Sequence, residues 1–167
     1  MSNTYLNSFH FLKDIEKVVK KKDSYGNIIT VLNIINLPAS DYDIEKLKNA
    51  HKIPSDYERF LLESDGAKLF VYDDIDGLHL LGLKDINKYT EYAKNTFEDD
   101  WDESVVIFAK IIGEDNYIGF KSEGNDQYVI LDCYFEENPS EWKVIGNSFG
   151  IFLSEFLSQK GKKFWIK

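Results

Sequence analysis

A single cysteine, Cys133, in a chain of 167 residues leaves no partner for an internal disulfide, and no group of cysteines and histidines has the spacing of zinc ligands. A reducing compartment is therefore expected, and no metal or other cofactor. The N-terminus lacks the basic stretch, apolar core and small-residue cleavage site of a secretory signal. No apolar run approaches the length that crosses a bilayer, so the reading is a cytoplasmic protein without membrane contact. The patterns G-x-x-x-x-G-K-S/T and G-x-G-x-x-G are also missing, which removes sequence support for phosphate cradles. Positive charge is in deficit, with 20 Lys+Arg against 29 Asp+Glu and a net charge of −9. Such a chain repels phosphate backbones, which argues against a nucleic-acid ligand and leaves basic proteins as fitting partners.

Core-forming material is abundant. Hydrophobic residues make up 43% and aromatics 15%, including 12 Phe and 10 Tyr, enough for a chain of this length to bury most of its surface as one domain spanning residues 1–167.

Two short helices around residues 39–66 organise the reading. In the first, Ile44, Leu47 and Ala50 recur at helical spacing among charged residues, with Ser40 or Asp41 as cap. The second begins near Pro54, either with proline in the first turn or through a Ser55-x-x-Glu58 capping box. Tyr57, Phe60, Leu61 and Ser64 share a face, and Gly66 suits the left-handed conformation ahead of a strand.

The spacing of Leu12, Ile15, Val18 and Val19 predicts a helix from Ser8 to Lys22 within an N-terminal helical extension, residues 1–27. The β-branched run Ile28–Ile35 predicts a strand. Leu69–Tyr72 and Leu78–Leu81 read as a hairpin, and Asp85 as the cap of a helix facing inward through Ile86, Tyr89, Tyr92 or Ala93, and Thr96. Three strands with short polar connections follow, at 105–112, 117–121 and 127–135, then a short edge strand at 142–145. Asn147 or Ser148 caps a last helix in which Phe149, Phe152, Leu153, Phe156 and Leu157 form one face. The fold class expected is α+β, a single antiparallel twisted meander flanked by N-terminal helices and a C-terminal amphipathic helix.

The run Ala39-Ser40-x-x-x-Ile44-x-x-Leu47, then Ile53-Pro54-x-x-Tyr57-x-x-Phe60-Leu61 and Ser64-Asp65-Gly66, resembles the opening of the SUKH superfamily. The element order extends that resemblance over residues 39–157. This superfamily of bacterial immunity proteins also contains a fungal regulator of cell-wall synthesis. The resemblance implies a protein that binds and occludes a cognate polymorphic or contact-dependent toxin, often a nuclease; the fungal branch implies instead a scaffold for a signalling or cell-wall-synthesis protein.

Candidate chemistry is sparse. Asp74-Ile75-Asp76-Gly77 is a poor calcium loop, because Tyr72 and Leu83 stand where oxygen ligands belong. A Cys133/His79 nucleophilic pair has no motif around it, and no catalytic residue is expected. The basic tail from Lys160 to Lys167 reads as a C-terminus with Phe164 or Trp165 docked on the body. The candidate partner-binding residues are Trp101 with its flanking Glu98, Asp99, Asp100, Asp102 and Glu103, an aromatic anchor within negative charge that suits a basic protein face. Asp73, Asp74 and Asp76 join them if the two loops lie together. The alternative reading packs Trp101 in the core and leaves the carboxylates solvated.

Overall fold

The computed structural model describes residues 9–166. Its strands are β1 (Val18–Lys22), β2 (Ile28–Ile35), β3 (Ala67–Tyr72), β4 (Asp76–Leu80), β5 (Val105–Ile111), β6 (Tyr117–Gly124), β7 (Gln127–Cys133) and β8 (Lys143–Gly146). Its helices are α1 (Asp41–Ala50), α2 (Ser55–Glu63), α3 (Leu83–Phe97) and α4 (Phe149–Ser158). The strands make one eight-stranded sheet in chain order, and every neighbouring pair is antiparallel. Short polar turns dictate that return for β1–β2, β3–β4, β5–β6 and β6–β7, whereas β2–β3 and β4–β5 return antiparallel by way of helices.

Helices cover both faces of the sheet. Tyr117 and Phe120, at odd spacing on β6, project to opposite sides. Tyr117 meets Tyr89 and Tyr92 of α3 at 5.4 and 6.1 Å, whereas Phe120 meets Tyr57 of α2 and Phe149 of α4 at 5.3 and 6.2 Å. Thus α3 lies on one face, and α2 and α4 on the other. The periodic residues of α4 behave as their spacing implies: Phe149, Phe152, Leu153 and Phe156 are all buried, each contributing roughly 1.5–3 kcal/mol through removal from water. Tyr57, Phe60 and Leu61 of α2 are completely buried on the same side.

The N-terminal segment differs from expectation. In place of a helix reaching Lys22, the described residues form a 3₁₀ turn, His10–Asp14, followed by strand β1. Ser8 lies outside the described residues. The pairing of Val18 with Leu32 and Lys22 with Ile28 explains the change: β2 needs a neighbour, and this segment supplies one. Lys21 faces inward, its amine 5.9 Å from the Phe70 ring, and burial lowers its pKa.

Two helix starts also differ. Ser40 caps α1 by accepting from Asp43 N at 3.1 Å, and Ser148 caps α4 by accepting from Ile151 N at 3.2 Å. For α2 the cap position is Pro54, and Ser55 makes no capping box; its N–H and hydroxyl donate to Asp126 at 3.0 and 2.6 Å. Helix α3 begins at Leu83, ahead of Asp85, and Leu83 N donates to Asp65 Oδ1 at 2.8 Å. The capping carboxylate therefore comes from another part of the chain. Asp65 is pinned in turn: its N–H donates to Leu37 O at 2.7 Å, and its carbonyl accepts from Asn36 Nδ2 at 3.0 Å. Gly82 passes so close that a Cβ there would lie 2.4 Å from Asp65 O.

Candidate partner-binding surface

The C-terminus of α3 builds the acidic loop. Glu98 adopts a positive φ of 47°, which stops the helix, and Glu98–Asp100 form a single 3₁₀ turn closed by Trp101 N donating to Glu98 O at 3.1 Å. Asp102 accepts from both the hydroxyl and N–H of Ser104 at 2.6 and 2.9 Å, and its other oxygen lies 3.4 Å from Lys121 Nζ. The Ser104 hydroxyl, then its N–H, hold the Asp102 carboxyl below the usual range. Glu103 pairs with Lys94 at 3.0 Å. Glu98, Asp99 and Asp100 are exposed and make no ion pair among the described residues. Two carboxylates thus fasten the loop, and three remain available.

Trp101 is half-buried, its ring set edge-on to the buried Trp142 at 6.2 Å. Behind it, Trp142 Nε1 donates to Tyr134 O at 2.9 Å, and the Trp142 ring packs against Phe97 and Phe135. The indole is therefore fixed on one side by aromatic packing. Its other side lines a groove of about 650 Å³ with Ala50, His51, Thr90, Lys94 and Val106. Asp100 and Asp102 line a second groove of about 500 Å³, with Lys121, Leu131, Trp142 and Val144. The acidic loop is the ridge between these two grooves.

Asp73, Asp74 and Asp76 are not brought to this ridge. Val105 N, where β5 begins, donates to Asp102 O at 3.0 Å, whereas Ile112 N, past its end, donates to Gly77 O at 2.9 Å. The two acidic clusters are thus separated by the length of β5, roughly 20 Å. Asp73 and Asp74 are exposed, while Asp76 pairs with Lys163 at 3.1 Å, and the same amine holds Glu114 at 3.3 Å. Lys163, with Phe164 and Trp165 packed on Phe152, docks the C-terminal segment; Lys167 lies outside the described residues.

Some groove residues have no signal in the sequence. Ala50 matches the helical spacing of Ile44 and Leu47, yet it is exposed on the groove wall. His51 is anchored by a short hydrogen bond to Asn87 of α3. The groove exists because the end of α1, the middle of α3 and the β6–β7 hairpin converge, and their residues are distant in the chain. A smaller cleft of about 220 Å³ includes Asp56, Arg59, Asp126 and Tyr128. There Asp56 accepts from Gly150 N at 3.1 Å and joins α2 to the start of α4. Burial raises its carboxyl pKa, the Gly150 N–H acting in the opposite sense.

His79 and Cys133 are apart, with β5 and β6 between their strands, a separation of about 14 Å at normal strand spacing. Burial pushes the Cys133 thiol well up, which keeps it protonated and inert. Burial also lowers the His79 pKa, and Asp85, 3.7 Å away, opposes that shift. The unfolded chain consequently binds a proton on this group more readily than the native one. The His79 contribution is fully present above about pH 6.5 and is lost as pH falls from there toward the depressed native pKa. Urea unfolding between pH 7.5 and 5 is expected to show a slope from this group no steeper than about 1.4 kcal/mol per pH unit, the one-proton limit. In a His79→Gln variant that component should disappear; an unchanged slope would assign it to other groups.

Among known proteins, the model described as the SMI1 / KNR4 family (SUKH-1) matches residues 38–155. The chain is also 25% identical over 171 aligned positions to the uncharacterized protein YobM of Bacillus subtilis (strain 168), across 96% of this chain and 88% of that protein.

Proposed function

Because the chain belongs to the SMI1/KNR4 family (SUKH-1), we propose that it is a non-catalytic protein-binding module, an immunity protein that neutralises a cognate toxin domain by covering its active surface. The observation that carries this reading is the ridge, where exposed Glu98, Asp99 and Asp100 stand beside a half-buried tryptophan held from behind by Trp142. A nuclease must present a basic face to phosphate, and that face is complementary to such a ridge. Unpaired carboxylates accelerate encounter with it by electrostatic steering, and a rigid aromatic anchor slows departure. Grooves on both sides give a partner's protruding side chains somewhere to enter.

The test is a binding titration of the purified chain against toxin domains encoded beside its gene, at low and moderate salt. Trp101→Ala is expected to weaken binding about 30-fold, mainly through faster dissociation, the scale of an aromatic hot spot. Asp99→Lys/Asp100→Lys should slow association and flatten its salt dependence. Binding unaffected by either variant would move the interface elsewhere. Capture of a signalling or cell-wall-synthesis protein, with no toxin bound, would assign the scaffold role.

A further inference from the structure

Among the described residues, no helix covers the outer face of β1 and β2. Val18, Lys20 and Lys22 stand opposite Leu32, Thr30 and Ile28, and Ile34 stands opposite Lys68 of β3. Residues 28, 30, 32 and 34 alternate with buried Val31 and Asn33, so all of them share the outward side. Val18, Ile28, Leu32 and Ile34 are exposed by 57, 70, 44 and 46%. Every charged residue at these positions is a lysine, in a chain whose net charge is −9. This side of the molecule is therefore apolar and locally basic. Strand β1 is also a sheet edge, and an edge strand presents unpaired N–H and C=O groups.

We propose that this face and the β1 edge take an extended segment of another protein, one in which apolar and acidic side chains alternate. Pairing along β1 satisfies the edge backbone, and the period of two places the acidic side chains on the outer face beside Lys20 and Lys22 and the apolar ones on the opposite side, in line with half-buried Val19. The same lysines repel a second copy of β1, so the edge resists self-association while selecting an acidic strand. This site is independent of the acidic ridge, which borders the opposite half of the sheet. It also lies largely outside the family-matched residues 38–155.

The test uses the full chain and a fluorescein-labelled peptide of alternating valine and glutamate, followed by fluorescence anisotropy. Parallel titrations use the valine–lysine peptide, the valine–glutamate peptide N-methylated at alternate amides, and vesicles of equimolar phosphatidylserine and phosphatidylcholine. Saturable binding of the valine–glutamate peptide is expected, with slowed amide exchange in β1. The Lys20→Glu/Lys22→Glu variant, checked for native circular dichroism, should lower that affinity about tenfold or more and gain the valine–lysine peptide. Absence of binding overturns the proposal, as does equal affinity for the charge-reversed variant or for the N-methylated peptide. Vesicle binding without peptide binding also overturns it, and would reassign the face to anionic lipid.

Discussion

Replacing Tyr57 with alanine is expected to cost about 5 kcal/mol of stability, a third or more of the roughly 5–15 kcal/mol that a domain has. The ring is completely buried and meets Phe60, Phe108, Phe120 and Phe149 at 5.1, 5.4, 5.3 and 4.6 Å. Its hydroxyl donates to the Leu81 carbonyl oxygen at 2.6 Å and lies 3.3 Å from that of Phe108. Alanine therefore leaves both a large void and two buried acceptors without this partner. Tyr57→Phe separates the contributions, since it keeps the ring and removes only the hydroxyl, and should cost about 1–2 kcal/mol. Denaturant unfolding of both variants reads the difference. A near-neutral alanine variant would mean that the aromatic cluster collapses to fill the gap, contrary to its position between two helices and the sheet.

The second large effect is expected at Gly82, for a different reason. Its φ of −84° suits any residue, so the constraint is one of space. An added Cβ would lie 2.4 Å from both Asp65 O and Asp65 Oδ1. The first is backbone, and the second is the side-chain oxygen that holds Leu83 N, so neither has much room to yield. Displacing Asp65 would also remove the acceptor for Leu83 N and loosen its bonds to Leu37 and Asn36. Gly82→Ala should cost about 3 kcal/mol, overpacking and loss of the helix cap acting together. Asp65→Ala, which loses the cap without a clash, should cost about 1 kcal/mol. If thermal unfolding ranks the two variants in the reverse order, the close approach is not the controlling feature.

These two sites illustrate how legible the fold was. Tyr57 belongs to an apolar period within α2, and a local period reports burial even when it cannot say what the ring will touch. Asp65 reads locally only as the polar residue ahead of Gly66, and its role in capping α3 depends on two segments crossing, which no local pattern encodes. The same limit explains β1. Leu12, Ile15, Val18 and Val19 fit a helical period, whereas the lysine run conceals a strand alternation in which Lys21 is the inward member. Pairing with β2 decided the outcome over local preference.

The candidate surface was legible in its residues and less so in its shape. Charge and aromaticity picked out the ridge from Glu98 to Glu103, but the two expectations for Trp101 each describe one side of the same ring. One side packs on Trp142, and the other forms a groove wall. The acidic hairpin turn at 73–76 shares the ridge's composition and not its location, because alternating strand direction sends the two loops to opposite ends of β5.

The order of the sheet has a consequence for how the chain comes off the ribosome. Since each strand pairs with the next one made, hairpins can form progressively during synthesis, without waiting for a distant segment. The ring cluster around Tyr57 obeys a different schedule: its closest neighbour, Phe149, sits at the start of the last helix. A nascent chain paired through β8 therefore still exposes an open aromatic surface. Translation of α4 closes it, making the final helix the step that turns a partly assembled sheet into a sealed core.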